Sequence, residues 1–125
     1  MERGKINLTI RHDGRATITI EFADGALWVT PREIARLLGV TLQRVNANLR
    51  SLFKSQELTE HTSELYHNGV FYYNLDVIIA LAFKINGGYC RLFRGWITSQ
   101  VTQSFSNVDN RPIIIQLGKT TFINN

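Results

Sequence analysis

Arginine, asparagine and glutamine side chains are concentrated in residues 41–54, and acidic side chains are absent there. The polar positions of this segment include Gln43, Arg44, Asn46, Asn48 and Arg50. Arginine can hydrogen-bond guanine through two donors, and asparagine or glutamine can pair with adenine in a similar way. A helix face that serves only solubility more often mixes both signs of charge. These residue types therefore favour contact with the base edges of duplex DNA.

Basic side chains also flank this segment and can supply phosphate contacts. The whole chain has 14 Lys and Arg against 10 Asp and Glu, a formal net charge of +4. Between residues 30 and 54, five basic side chains are opposed only by Glu33, so this segment carries the entire excess. Arg32, Arg36 and Lys54 lie at its periphery, where cations orient a protein on DNA without reading sequence. Charge alone is equally consistent with a solvated surface and with a DNA-contacting one. Charge and motif together favour contact with DNA.

The remaining candidates for chemistry are three histidines, His12, His61 and His67, and the single cysteine, Cys90. None lies in a nucleophile motif, and the chain has neither a phosphate-binding loop nor a dinucleotide fingerprint. The spacing of His61 and His67 among nearby glutamates fits neither one helix face nor a zinc hairpin. A packed thiol explains Cys90 better than a reactive one. We therefore expect no catalytic site, no metal and no cofactor.

Two helices are predicted to position the basic segment. The run Thr30-Pro31-Arg32-Glu33 is a capping box with proline at the first helical position, and that helix must end near Gly39. Thr41 is expected to cap a second helix, which ends near Ser55 and carries an apolar stripe of Leu42, Val45, Leu49 and Leu52. Small residues near the turn allow a close approach of the two helices. This pattern indicates a helix-turn-helix.

The pattern departs from the usual helix-turn-helix at one position. Asn48 occupies a position where an apolar residue is more common, and Leu49 is expected to take its place in the core. The segment Glu64–Tyr73, with Asn68-Gly69 as a two-residue turn, predicts a hairpin where a winged helix-turn-helix has its wing. Its tip, His67 and Asn68, can contact a phosphate or the minor groove, and a plain turn is an equally good interpretation.

The other segments complete a mixed α+β fold. Residues 1–29 predict a three-stranded β-meander, with Asp13-Gly14 in its first turn and Leu27-Trp28-Val29 as its third strand. That third segment can instead join the sheet of the wing. Residues 75–106 predict two further helices: one capped by Asn74 and buried, ending at Gly87-Gly88, and one spanning Arg91–Phe105.

Several side-chain placements follow from this organisation. Arg94 is expected to pair with Asp76 or Glu64, because a semi-buried charge needs a partner. Tyr72 and Tyr73 alternate across a strand, so one should be buried and one exposed. Residues 107–125 form a tail with one strand-like run, Pro112–Leu117. We predict a single domain over residues 1–125, with residues 30–74 forming the helix-turn-helix and wing.

Residues 27–105 resemble the RhuM family, bacterial proteins described as virulence or DNA-binding proteins. The resemblance is carried by three blocks: Ile34-Ala35-Arg36-Leu37-Leu38-Gly39, then Tyr72-Tyr73-Asn74-Leu75-Asp76, and finally Phe93-Arg94-Gly95-Trp96. The chain departs from the family pattern after Phe83, where it reads Lys84-Ile85-Asn86-Gly87. The resemblance implies a DNA-binding protein and leaves its biological role open.

Together these features predict a transcription regulator that reads duplex DNA with residues 41–54, in the form of a homodimer. The alternative is a protein-interaction module of a toxin- or phage-related system that does not bind nucleic acid. An exposed apolar patch around Trp96 and Phe105 would favour that alternative. The single cysteine and the absence of a membrane-length apolar run predict a soluble, cytoplasmic protein that has no contact with membranes.

Overall fold

The computed structural model describes residues 1–107, apart from the side chains of residues 60, 61, 106 and 107. Its elements in chain order are β1 (Lys5–Ile10), β2 (Ala16–Glu21), α1 (Pro31–Leu38), α2 (Leu42–Lys54), the single turn α3 (Glu60–Ser63), β3 (Glu64–His67), β4 (Val70–Tyr73), α4 (Leu75–Lys84) and α5 (Cys90–Asn107). The fold is mixed α+β, as predicted, with two antiparallel hairpins. The expected strand at Pro112–Leu117 lies outside the described residues.

The first hairpin pairs β1 with β2 from Lys5 opposite Glu21 to Ile10 opposite Ala16. Asp13 accepts a hydrogen bond from the backbone of Arg15 in the turn, and Gly14 has a φ of 82°. The prediction of a third strand in this sheet was wrong. Val29 instead forms a bridge with Tyr73 of β4, because its backbone N–H and carbonyl exchange hydrogen bonds with Tyr73 at 2.9 and 2.7 Å. The segment before α1 therefore joins the second hairpin.

The capping predictions for the first two long helices were correct. The Thr30 hydroxyl accepts from the Glu33 backbone at 3.1 Å, and the Glu33 carboxylate accepts from the Thr30 backbone at 2.8 Å, which completes the capping box. The α1 helix ends at Gly39 in the left-handed conformation. Thr41 caps α2, and Ser55 follows its last turn. Leu49 is buried, as predicted from the apolar stripe.

The second hairpin has the predicted turn. Asn68 and Gly69 both have positive φ angles, 50° and 79°, which the tight turn between antiparallel strands requires. Tyr73 is buried at 7% exposure while Tyr72 is half-buried, so the two faces of β4 differ as expected. Tyr73 also donates to the Glu64 carboxylate at 2.7 Å and stacks on Phe53 of α2, with ring centroids 6.0 Å apart. The hairpin is thereby fixed against the C-terminal half of α2.

The α4 helix, capped by Asn74, is the centre of the core, and five of its apolar side chains are buried. It ends at Lys84, slightly before the predicted stop at Gly87. The core combines side chains from β2, β4 and the four long helices into one cluster. The predicted ion pair of Arg94 with Asp76 or Glu64 was wrong. Its guanidinium donates instead to the Ala82 and Ile85 carbonyls, at 2.7 and 3.1 Å, where α4 ends.

Within residues 1–107, no helix combines the length and apolar character that crossing a membrane requires.

Candidate nucleic-acid interface

The turn between α1 and α2 is held by the loop that follows α4. Tyr89 donates its backbone N–H to the Leu38 carbonyl at 2.7 Å, and its ring lies over Gly39. Gly88 approaches the backbone of Leu38 so closely that a Cβ atom there would overlap the carbonyl oxygen. Gly39 and Gly88 have φ angles of 66° and 55°. Gly88 therefore allows close contact of two backbones, and Gly39 leaves room for the Tyr89 ring; together they fix the start of α2 relative to α5.

The outward side of α2 carries the residues that sequence analysis assigned to DNA. Val45, Leu49 and Leu52 are buried, so the opposite side of the helix faces solvent. An exposed row runs along that side at intervals of three or four residues and consists of Gln43, Ala47, Arg50 and Lys54. The side chains of Gln43, Arg50 and Lys54 form no hydrogen bond or ion pair with any other residue that the structure describes. Their donors are therefore available to an external acceptor.

Three of the residues predicted to read bases are hydrogen-bonded within the fold or half-buried. Arg44 is exposed, but its guanidinium donates to the Asn86 carbonyl in the loop after α4. Asn48 is half-buried, and its amide donates to the Arg44 carbonyl at 2.8 Å, within its own helix. Asn46 is also half-buried. The structure thus separates Arg44, Asn46 and Asn48 from the fully exposed row of Gln43, Arg50 and Lys54.

The only acidic side chain between residues 30 and 54 is neutralised from outside that segment. Glu33 pairs with Arg3 at 2.6 Å, and the Arg3 guanidinium also lies 5.2 Å from the centre of the Tyr72 ring. Partial burial raises the pKa of Glu33, but hydrogen bonds from Arg3 and Thr30 outweigh it and hold the pKa below its ordinary value. The carboxylate is therefore ionised at neutral pH and is turned toward Arg3.

The two predicted phosphate-binding arginines of α1 are both exposed. Arg36 lines a groove of about 510 Å³ between α1 and β1, and Lys5 of β1 lines the same groove. A role for Lys5 was not predicted from the sequence, because no local pattern places β1 beside α1. Arg32 lies in the first turn of α1, and its side chain forms no hydrogen bond or ion pair with a residue in the described part of the chain. The structure thus adds Lys5 to the cations near α1.

The tip of the second hairpin presents aromatic as well as polar side chains. His67 and Asn68 are exposed, and the Asn68 amide lies 3.3 Å from Nε2 of His67. Next to them Tyr66 is 62% exposed and Phe71 is 46% exposed, with ring centroids 4.7 Å apart. This aromatic pair was not predicted as part of a site, although Tyr66 and Phe71 occupy opposite positions across the predicted turn. The hairpin therefore offers both a polar tip and an apolar side.

With this geometry in view, the chain was compared with models of protein families, with curated proteins and with solved structures. None of the three comparisons found a match. Any functional conclusion therefore depends on the side chains themselves.

Of the residues considered for catalysis, the side chain of His61 lies outside the described part of the structure, and Cys90 belongs to the hydrophobic core. Cys90 is fully buried, and burial raises the pKa of its thiol, with Arg94 and Arg44 acting weakly in the opposite direction. Among the described side chains, no three of His, Cys, Asp and Glu come together to hold a metal ion. Glu57, one of the glutamates near His61 in the sequence, accepts from Ser55 at 2.9 Å and from Lys84 at 3.2 Å.

Proposed function

We propose that this chain is a winged helix-turn-helix protein that binds duplex DNA with α2 in the major groove. The exposed, acid-free row on α2 is the observation that carries the proposal. Gln43 and Arg50 are the side chains that contact base edges, and Lys54 binds a phosphate. Arg44 and Asn48 act at the margin of this surface, because each already has a partner within the fold.

The elements around α2 support the same arrangement. Arg32 and Arg36 of α1 are exposed cations that contact the backbone on one side of the groove. The β3–β4 hairpin is the wing, and His67 and Asn68 at its tip contact a phosphate or the minor groove. The resemblance to the RhuM family agrees with this proposal. On this basis the protein acts as a transcription regulator, and two copies bind adjacent half-sites.

A titration of duplex DNA, followed by fluorescence anisotropy, tests the proposal. We expect binding at about 50 mM salt that weakens steeply as salt is raised, because phosphate contacts release counterions. The double variant Arg50→Ala, Lys54→Ala should weaken binding about tenfold or more and reduce the salt dependence. Lys84→Ala removes one positive charge from α4 and should bind like the parent. An absence of binding at low salt, or equal affinity of the double variant and the parent, would overturn the proposal.

Selection from a randomised duplex library tests sequence reading separately. The parent should enrich a defined site, and Gln43→Ala should lose preference at one base pair of it while keeping most of its affinity. A two-fold symmetric site would support binding by two copies. Enrichment of no site would show that the contacts are to phosphates alone.

A protein-interaction module is the second candidate, and the aromatic pair Tyr66 and Phe71 favours it. Exposed aromatic pairs are typical of the centres of protein interfaces. Phe105 is also 59% exposed, whereas Trp96 is half-buried and packs edge-on against Phe93. Light scattering that shows stable self-association, lost in Tyr66→Ser and accompanied by no affinity for DNA, would decide for this function.

A further inference from the structure

A groove between α5 and the turn of the first hairpin has no part in the proposed DNA contact. Its volume is about 670 Å³. The hairpin contributes residue 11 and residues 13–17, and α5 contributes one of its sides, from Arg91 to Gln103. Sites for small molecules have volumes of roughly 300–1,000 Å³. The groove is therefore large enough to hold a nucleotide-sized molecule and too small for a duplex.

The groove has an excess of positive charge. Arg11 and Arg15 approach it from the hairpin, and Arg91 approaches it from the first turn of α5. Asp13 is the one acidic side chain among the described residues that line it, and it lies 3.6 Å from Arg11 and 4.0 Å from Arg15. The Arg91 guanidinium forms no hydrogen bond or ion pair with any atom that the structure describes. Two arginines thus share one carboxylate, and the third is available to an anion.

Gly95 keeps the floor of the groove open. It lies in the interior of α5, where glycine destabilises a helix relative to alanine. A Cβ atom at Gly95 would meet no described atom within 4 Å, so packing within residues 1–107 does not require glycine. Because Gly95 lines the groove, any longer side chain there would occupy the space between α5 and the hairpin.

The rest of the α5 side supplies neutral polar groups. Ser99, Gln100 and Gln103 line the groove beside Trp96, away from the first turn of the helix. Amide and hydroxyl groups can hydrogen-bond a sugar or a base, whereas guanidinium groups bind phosphate through paired donors. The two kinds of group are thus separated along one helix, as a ligand with an anionic end and a neutral polar end requires.

We propose that this groove binds a phosphorylated small molecule of nucleotide size. Its phosphates contact Arg91, Arg11 and Arg15, and its uncharged part lies along Ser99 and the two glutamines. The residues that follow α5 have the wrong charge for this position, since residues 108–125 contain two basic side chains and one acidic one. The proposal does not depend on the binding of DNA.

Isothermal titration of the full chain with ATP, pyrophosphate, adenosine and hexaglutamate tests this site. We expect ATP to bind, pyrophosphate to bind more weakly and adenosine to bind weakest, because both ends of the ligand contribute. Arg91→Ala should weaken ATP binding by about tenfold or more, since it removes a charge-assisted contact. Lys84→Ala, which removes a cation outside the groove, should leave the affinity for ATP unchanged.

Substitutions at Gly95 distinguish an effect on ligand binding in the groove from an effect on the stability of the helix. Gly95→Ala and Gly95→Gln should both unfold at or above the parental temperature, because each improves helix propensity. Gly95→Gln should nevertheless abolish ATP binding by filling the groove. The proposal is overturned if ATP does not bind, if Lys84→Ala weakens binding as much as Arg91→Ala, or if folded Gly95→Gln binds normally. Hexaglutamate that binds as tightly as ATP would also overturn it, because the site would then favour acidic peptides.

Discussion

The Arg3 guanidinium and the Thr30 backbone both donate to Oε1 of Glu33, at 2.6 and 2.8 Å. Glu33 therefore satisfies the first turn of α1 and joins that turn to the segment before β1. Arg3 also contacts the Tyr72 ring of the second hairpin. A single half-buried cation thus connects the N-terminal segment, α1 and the proposed wing.

The low pKa of Glu33 predicts acid sensitivity. The folded state favours the ionised carboxylate, so this carboxylate contributes to the free energy of unfolding at neutral pH. The contribution is lost as the pH falls below 4.5, the ordinary pKa of glutamate, and through the lower pKa of the folded state. Glutamine can keep the hydrogen bond to Thr30 but cannot form the ion pair with Arg3. We expect Glu33→Gln to reduce the free energy of unfolding by about 0.5 kcal/mol at neutral pH. The difference from the parent should shrink in acid and disappear once the pH falls below the lowered pKa of Glu33.

Urea denaturation at neutral pH and in acid measures this effect. Glu2→Gln removes the same charge from an exposed position and serves as the matched control. A deficit of Glu33→Gln that is equally large in acid and at neutral pH would contradict the assigned role of the ion pair.

Alanine substitutions of Arg44 and Arg50 should differ in their effect on the stability of the fold. Both side chains are exposed on α2, but only Arg44 donates to another element, at the Asn86 carbonyl. We expect Arg44→Ala to lower the free energy of unfolding by about 1 kcal/mol, as the loss of a hydrogen bond from a charged donor does. Arg50→Ala should change it by less than about 0.5 kcal/mol. Thermal unfolding of the two variants provides the comparison, and equal melting temperatures would refute the distinction.

Gly88 should be among the least replaceable positions of the fold. A Cβ atom there would overlap the Leu38 carbonyl, and the positive φ adds strain for any L side chain. We expect Gly88→Ala to destabilise the protein by about 3 kcal/mol or more, the sum of a backbone displacement and that strain. Gly14→Ala is the control, because Gly14 also has a positive φ, but a Cβ atom there would meet no described atom within 4 Å. Circular dichroism melts in which both variants lose the same stability would show that the close approach is unimportant.

Arg94 should stabilise the end of α4 through the main chain. Its guanidinium donates to the Ala82 and Ile85 carbonyls, at the end of the helix where carbonyls lack intrahelical partners. We expect Arg94→Ala to reduce the free energy of unfolding by about 2 kcal/mol. Arg94→Lys should recover part of this loss, because an ammonium near a helix C-terminus keeps the favourable charge. If chemical denaturation shows Arg94→Ala to be as stable as the parent, the carbonyl contacts do not stabilise the fold.

Features that depend on near neighbours in the chain were predictable. The capping box joins Thr30 to Glu33, Asn74 accepts from Val77, and Asn68 is followed directly by Gly69. In each case the interacting groups are separated by at most three positions, so the sequence alone contains both partners. The exposed row on α2 follows in the same way from the apolar stripe on its other side.

Features that depend on distant segments were not predictable. Val29 could pair with either hairpin, and the choice of Tyr73 depends on how the helices bring β4 beside it. Arg94 had two carboxylates as candidate partners, yet two carbonyls at the end of α4 are nearer in space. The engagement of Arg44 by Asn86 likewise arises only when the loop after α4 reaches α2. Tertiary packing therefore determines which contact forms when several partners are equally compatible with the sequence pattern.

The close approach of Gly39 and Gly88 also has an evolutionary consequence. Tyr89 covers Gly39, and Gly88 touches the chain just before it, so neither position can gain a side chain without displacing the other segment. Among descendants of this sequence, Gly88 is therefore expected to remain glycine, and a side chain at position 39 is expected to survive only with a smaller residue in place of Tyr89. Correlated variation of positions 39 and 89, which are far apart in the chain, would be the inherited trace of that contact.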